Sequence, residues 1–289
     1  MIYGLVAALG WGLADYFAHL AGRRVGSLMA VVIGQVFAAF AVTLILVASG
    51  ESLASLAGWW WLVPINGIVA MLAYALHYHA LELGPVSVVS PVSAGYAVVG
   101  VLLAVLLLDE RPGGAEVLGI ICTIAGAVLV STDLRAMRAG LRARPPGLWW
   151  AAASAVGFGV AGFTLGVLAQ ESGVWQVALF VSRIAMIVAF IPLLAARRAQ
   201  FGRLRTATAL GAGVAFAVVA GATDVLGVAS YSYGTGSGDL SIVLAASSVF
   251  PLVAVLLSHL TLHERLAPNQ YVGIAIVVVG LVLLGVGSV

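Results

Sequence analysis

Residues 106–126 read LLLDERPGGAEVLGIICTIAG, and residues 260–280 read LTLHERLAPNQYVGIAIVVVG. Laid over one another, Glu110-Arg111 falls on Glu264-Arg265, Gly119 on Gly273 and Gly126 on Gly280, all at a separation of 154 residues. Farther out, Gly10-Trp11-Gly12 falls on Gly157-Phe158-Gly159, Gln35 on Arg183, and Ser93 and Tyr96 on Ser247 and Phe250. The chain therefore reads as two copies of one unit: residues 1–132, a linker over 133–147, and residues 148–289.

The solvent for both copies follows from composition. Of 289 residues, 63% are hydrophobic and 8% charged, with a mean hydropathy of +1.15. Soluble domains carry about 25% charged residues, so this chain cannot furnish a polar surface and most of it must face lipid. A helix is the spanning element that satisfies its own backbone, over about 20 apolar residues. A barrel would alternate polar and apolar residues, which 98–108 (VVGVLLAVLLL) does not. Ten spans are expected, over about 2–21, 28–48, 60–82, 86–108, 115–132, 148–169, 174–195, 208–232, 240–262 and 268–287. Trp59, Trp60, Trp61, Trp149, Trp150 and Trp175 open three of them, where amphipathic rings meet the headgroups.

Five spans per copy is an odd number, so the second copy is expected upside down relative to the first. Charge supports this separately. Loops after odd-numbered spans carry Arg23 and Arg24, then Arg135, Arg138, Arg142 and Arg144, then Arg197, Arg198, Arg203 and Arg205. The partners of the 1–2 and 7–8 loops, the 6–7 and 2–3 loops, carry only Glu171 and Glu51. Arginine-rich loops stay cytoplasmic, which places both termini outside. Inverted repeats are the mark of alternating-access transporters, with the solute site near the midplane.

Other classes find little support. All 13 basic residues are arginine, and they form no patch dense enough for nucleic acid. Cys122 sits alone in an apolar run, so no disulfide forms within the chain. The N-terminus lacks a basic n-region, so no cleaved signal peptide is expected. His77 and His79 point to opposite sides of a helix and cannot share a metal. The sequence GTGSGD (234–239) reads as a tight turn; it lacks the Lys-Ser/Thr of a phosphate-binding loop. No cofactor and no metal is expected, and no nucleophile–base spacing suggests an enzyme.

Taken together, the aromatic-Gly pairs Trp11-Gly12 and Phe158-Gly159, the two Glu-Arg span ends with their glycines, Arg183 and Pro251 resemble the EamA family of the drug/metabolite transporter superfamily. The resemblance covers the whole chain. It implies a ten-span, all-α inner-membrane permease for small metabolites, most often an exporter. This chain departs from the pattern at Ala97, which matches Pro251 with Pro91 six residues earlier, and at Gln35, which stands where an arginine is expected.

Polar residues inside the spans are the candidates for the solute site, since a mid-span charge costs about 2.5–3.5 kcal/mol on insertion scales and tends to face a cavity. Trp11, Asp15 and His19 share one face of span one. Tyr74, His77 and Tyr78 share a face of span three, and Asp224 and Tyr231 a face of span eight. With Tyr96 they form an acidic, aromatic set suited to an ammonium group, and histidine adds a group that titrates near neutrality. Arg183 is the charge partner. Asp15 either lines the cavity or pairs with Arg183, and Arg183 cannot readily neutralise both aspartates. Ser93, Ser247, Phe250 and Pro251 mark spans four and nine as gating helices. The expected partners are a small-molecule solute (an amino acid or amine), protons and the lipid bilayer, and the chain is a monomer or homodimer. An intramembrane enzyme acting on lipid and a membrane receptor subunit stand as the alternatives.

Overall fold

The computed structural model describes residues 1–56, 58–83, 89, 92–134, 137–138, 147–196, 207–262 and 266–287, without the side chains of 27, 28, 78, 81, 82, 193, 194, 196, 207–210, 258, 262 and 287. Glu264, Arg265, Pro91 and most loop arginines lie outside these residues. The described residues are helical, with no strand among them. The helices are α1 (Ile2–Val25), α2 (Ser27–Ser49), α3 (Leu62–Leu83), α4 (Tyr96–Leu107), α5 (Gly114–Ser131), α6 (Gly147–Ser172), α7 (Trp175–Ala196), α8 (Ala207–Ser237), α9 (Leu240–Ser247), α10 (Phe250–Leu262) and α11 (Pro268–Gly287).

Seven stretches are long and apolar enough to cross a membrane: Met29–Ser49, Gly114–Ser131, Gly147–Ser172, Trp175–Pro192, Gly211–Ser237, Leu240–Thr261 and Pro268–Val286. Two shorter apolar helices, Leu62–His77 and Tyr96–Leu107, accompany them. α1 is long enough but not among the seven; Asp15, Tyr16 and His19 lower its hydropathy.

Two local features depart from the sequence reading. The ninth span is broken, with α9 ending at Ser247 and α10 beginning at Phe250. Pro251 has no N–H for the Ser247 carbonyl, and the Ser247 and Ser248 hydroxyls donate to the carbonyls of Leu244 (2.9 Å) and Ala245 (2.7 Å). The GTGSGD stretch is mostly not a turn, since α8 runs on to Ser237. Here the Thr235 and Ser237 hydroxyls donate to the carbonyls of Tyr231 (3.0 Å) and Tyr233 (2.8 Å), one turn back. Hydroxyls that satisfy themselves within the helix remove the competition that usually ends it.

Glycine sets the packing. α5 lies against α11 with Gly119 facing Gly280 and Gly126 facing Gly273, so the two helices run antiparallel. At their far ends Asn269 Nδ2 donates to the Thr132 carbonyl at 2.7 Å and Gln270 Nε2 to that of Val130 at 2.8 Å. A methyl on Gly126 would lie 2.7 Å from the Val277 nitrogen and 2.9 Å from the Gly273 oxygen, both backbone atoms that cannot yield. Gly126→Ala should therefore lower the detergent melting temperature by the equivalent of about 1–3 kcal/mol. Gly114→Ala, at the open start of α5 with nothing within 4 Å, should not lower it. Equal melting temperatures for the two variants would contradict this packing.

The same contacts recur in both halves. Gly10 meets Gly227, and Gly157 meets Ala73; Gly12 meets Phe250, and Gly159 meets Tyr96. Trp11 packs on Tyr231 with ring centroids 5.6 Å apart, and Phe158 on His77 at 6.0 Å. These are pairs of matched positions: Trp11 with Phe158, Phe250 with Tyr96, and Tyr231 with His77.

Candidate functional site

Polar side chains interrupt this apolar packing at three places. The first joins α2, α7 and α8. Arg183 is 6% exposed. Its Nη1 donates to Gln35 Oε1 at 2.6 Å and its Nη2 to Asp224 Oδ2 at 2.7 Å. The guanidinium fork suits two such acceptors at once. Side-chain exposures of 5% for Arg183 and 16% for Asp224 mean that this ion pair is screened by little water. It is Asp224 that takes Arg183, and Asp15 makes no ion pair or hydrogen bond among the described residues.

The second place is the face of α1 that carries Asp15. Asp15 is exposed and stands one turn beyond Trp11 and Gly12, which meet Tyr231 and Phe250. Tyr96 lies beside Ser247, and its hydroxyl is buried without a hydrogen bond. Its ring is 6.2 Å from Phe250. Trp11 walls the same side by packing on Tyr231, whose hydroxyl donates to the Gly162 carbonyl at 2.9 Å. His19, one turn beyond Asp15, is exposed.

The third place lies in the other half. His77 Nδ1 is 3.0 Å from Ser93 Oγ, and Ser93 Oγ is 3.0 Å from Ser154 Oγ, which donates to the Ala151 carbonyl at 2.8 Å. Tyr74 meets Phe158 edge-on at 4.9 Å. The Tyr78 side chain lies outside the described residues. His79 turns to Trp150, with centroids 5.1 Å apart.

The structure thus separates the sequence candidates into two groups. Asp15, Trp11, Tyr96, Tyr231, Ser247 and Phe250 gather around α1 and the α9–α10 break, whereas Tyr74, His77 and Ser93 gather with α6. Three polar residues escaped the sequence reading as site members. Gln35 completes the Arg183 acceptor set. Asn66, 3% exposed, donates to the Ala161 carbonyl and Thr164 Oγ1, both at 2.8 Å. Ser154 links to Ser93. Their signal was a lone amide or hydroxyl in an apolar run, which does not reveal its partner.

Comparison with known proteins gives three results. Residues 1–132 and 145–286 each match the family model described as the EamA-like transporter family. A solved crystal structure superposes on 99% of this chain and 96% of its own with a TM-score of 0.75, at 20% identity, and so shares the fold. The uncharacterized protein MJ1333.1 of Methanocaldococcus jannaschii is 33% identical over 73 residues, which is 25% of this chain. The chain spans about half the length of that curated relative (53%).

Proposed function

The chain belongs to the EamA-like transporter family, and from this premise we propose that it is a ten-span secondary transporter for a small organic amine, working by alternating access with proton coupling. It is a multi-pass membrane protein of a transporter family. The finer reading is carried by one observation: of the two intramembrane aspartates, Asp224 is neutralised by Arg183 and Asp15 is not. In this reading Asp15 is an unpaired carboxylate on the wall of a crevice, one turn from Trp11, and attracts an ammonium group by charge and by ring faces. A solute carboxylate would find the one described mid-span arginine already engaged by two acceptors. An amine is therefore favoured over a zwitterionic amino acid, within the class the sequence suggested.

An inverted five-plus-five arrangement is supported by two features. α5 and α11, the last helices of the two copies, run antiparallel. Matched glycines make matched contacts in both halves. The recurrence is what a two-fold axis lying in the membrane plane produces. With no ATPase motif in the chain, the drive is an ion gradient or the solute's own gradient.

Coupling is testable by counterflow in proteoliposomes, with and without a proton gradient, using primary amines and the corresponding amino acids. Proton-dependent accumulation of amines is expected. Identical accumulation in both conditions would remove the coupling, and preference for the amino acids would remove the amine assignment.

A further inference from the structure

At one end of the bundle, a side chain from the first copy holds the start of a helix in the second. Glu110 follows α4, and its Oε1 accepts the N–H of Leu240 at 2.7 Å while its Oε2 accepts that of Ser241 at 3.0 Å. These are the first two residues of α9, 130 positions away. Asp239, the residue placed to cap α9 locally, makes no side-chain cap bond. Glu110 therefore supplies from across the molecule the anion that a helix N-terminus ordinarily obtains from its own chain.

What Glu110 holds is a separable piece. All eight residues of α9 are buried, and the break at Ser248 uncouples α9 from α10. α9 rests in glycine slots on three helices. A methyl on Gly4 would sit 2.7 Å from the Val243 carbonyl, one on Gly100 would sit 2.8 Å from Leu244 Cδ1, and Gly166 lies under Leu240. Smooth apolar seats of this kind let a helix lift without breaking side-chain hydrogen bonds. The far end of α9 is Ser247, and just past it Phe250 meets both Tyr96 and Gly12, one turn before Asp15. α9 thus ends beside the stretch of α1 that leads to Asp15. The packing of α1 agrees: five of its six buried residues lie at or before Gly12, on the α9 side, and one, Ala21, beyond.

We propose that Glu110 is the latch of a gate, its two backbone hydrogen bonds holding α9 shut over the Asp15 crevice and their release opening this end of the bundle. The inference rests on the transporter reading for its purpose, but its test needs no solute. Ser247→Cys in a Cys122→Ser background places a thiol at the inner end of α9, and an impermeant maleimide is applied to right-side-out and inside-out vesicles. Glu110→Ala should raise labelling from the Glu110 end about tenfold, which corresponds to about 1.4 kcal/mol. Labelling from the opposite end should not rise, and Glu110→Asp should restore part of the protection. If Glu110→Ala does not reach the membrane, Glu110→Gln, which keeps one acceptor, should give a smaller rise of the same sign. Unchanged labelling of Ser247→Cys in membrane-inserted protein would overturn the latch. So would labelling that rises at Ser241→Cys and not at Ser247→Cys, since that marks fraying of the first turn alone. Loss of amine transport with latch behaviour intact would count against the amine assignment and leave the gate standing.

Discussion

Asp15→Asn should lower transport by about 100-fold or more while the protein accumulates in the membrane and melts no earlier than wild type. The two halves of this expectation have different causes. A charge-assisted hydrogen bond to an ionised group contributes about 1.5–3 kcal/mol, and each 1.4 kcal/mol is tenfold in binding. Asparagine keeps the shape but loses both the charge that attracts an ammonium group and the ability to exchange a proton for it. Stability should move the other way. Asp15 makes no ion pair among the described residues, so replacing it forfeits no folded-state contact and relieves part of the 2.5–3.5 kcal/mol that a mid-helix carboxylate costs on insertion. Loss of activity without loss of stability is the signature of a residue kept for function. Flux in proteoliposomes and a detergent melt on one preparation measure both. Wild-type flux in Asp15→Asn would show that the aspartate does not touch the solute. A fall in melting temperature would show that it holds α1 in place. Asp15→Glu, which restores the charge one methylene farther out, should recover part of the flux.

How much of this was legible in the sequence varies by residue. The all-helical membrane fold follows from hydropathy, and the duplication from the matched glycines and Glu-Arg pairs. Those glycines needed no structure to be found, yet their role did. Gly119 matches Gly273 in the alignment but touches Gly280 in space, because an antiparallel packing pairs each position with the counterpart of the other. Gln35 was visible opposite Arg183, and nothing in a linear comparison says that two matched positions meet; they do so because α2 packs against α7. Glu110 was visible as a landmark, whereas its hydrogen bonds to Leu240 and Ser241 depend on tertiary placement across 130 residues. The choice between Asp15 and Asp224 as the partner of Arg183 was equally beyond reach. Both lie at plausible depth, and only the packing of α7 against α8 decides it. The break in the ninth span was half visible in Pro251, since a proline can kink a spanning helix or end it.

Arg183→Leu should destabilise the protein by about 3–5 kcal/mol, the cost of leaving a buried carboxylate without its partner. Arg183→Lys should fall between, because a lysine ammonium is a point charge and cannot serve Gln35 and Asp224 as a fork does. The informative variant is the double change Arg183→Leu with Asp224→Leu. Removing both charges removes the uncompensated carboxylate, and apolar replacements of a buried pair are often neutral or stabilising, so most of the melting temperature should return. Flux is the decisive measurement. The matched position to Asp224 in the first copy is Ala70, so the carboxylate has no counterpart there. The ion pair fastens α7 to α8, and in the function proposed above Asp15 is the carboxylate left to meet the solute. If the pair is a fastening, the double variant should transport once its stability is restored. If it folds and melts like wild type but no longer transports, Asp224 belongs to the solute site, and Arg183 sets its charge instead of its position.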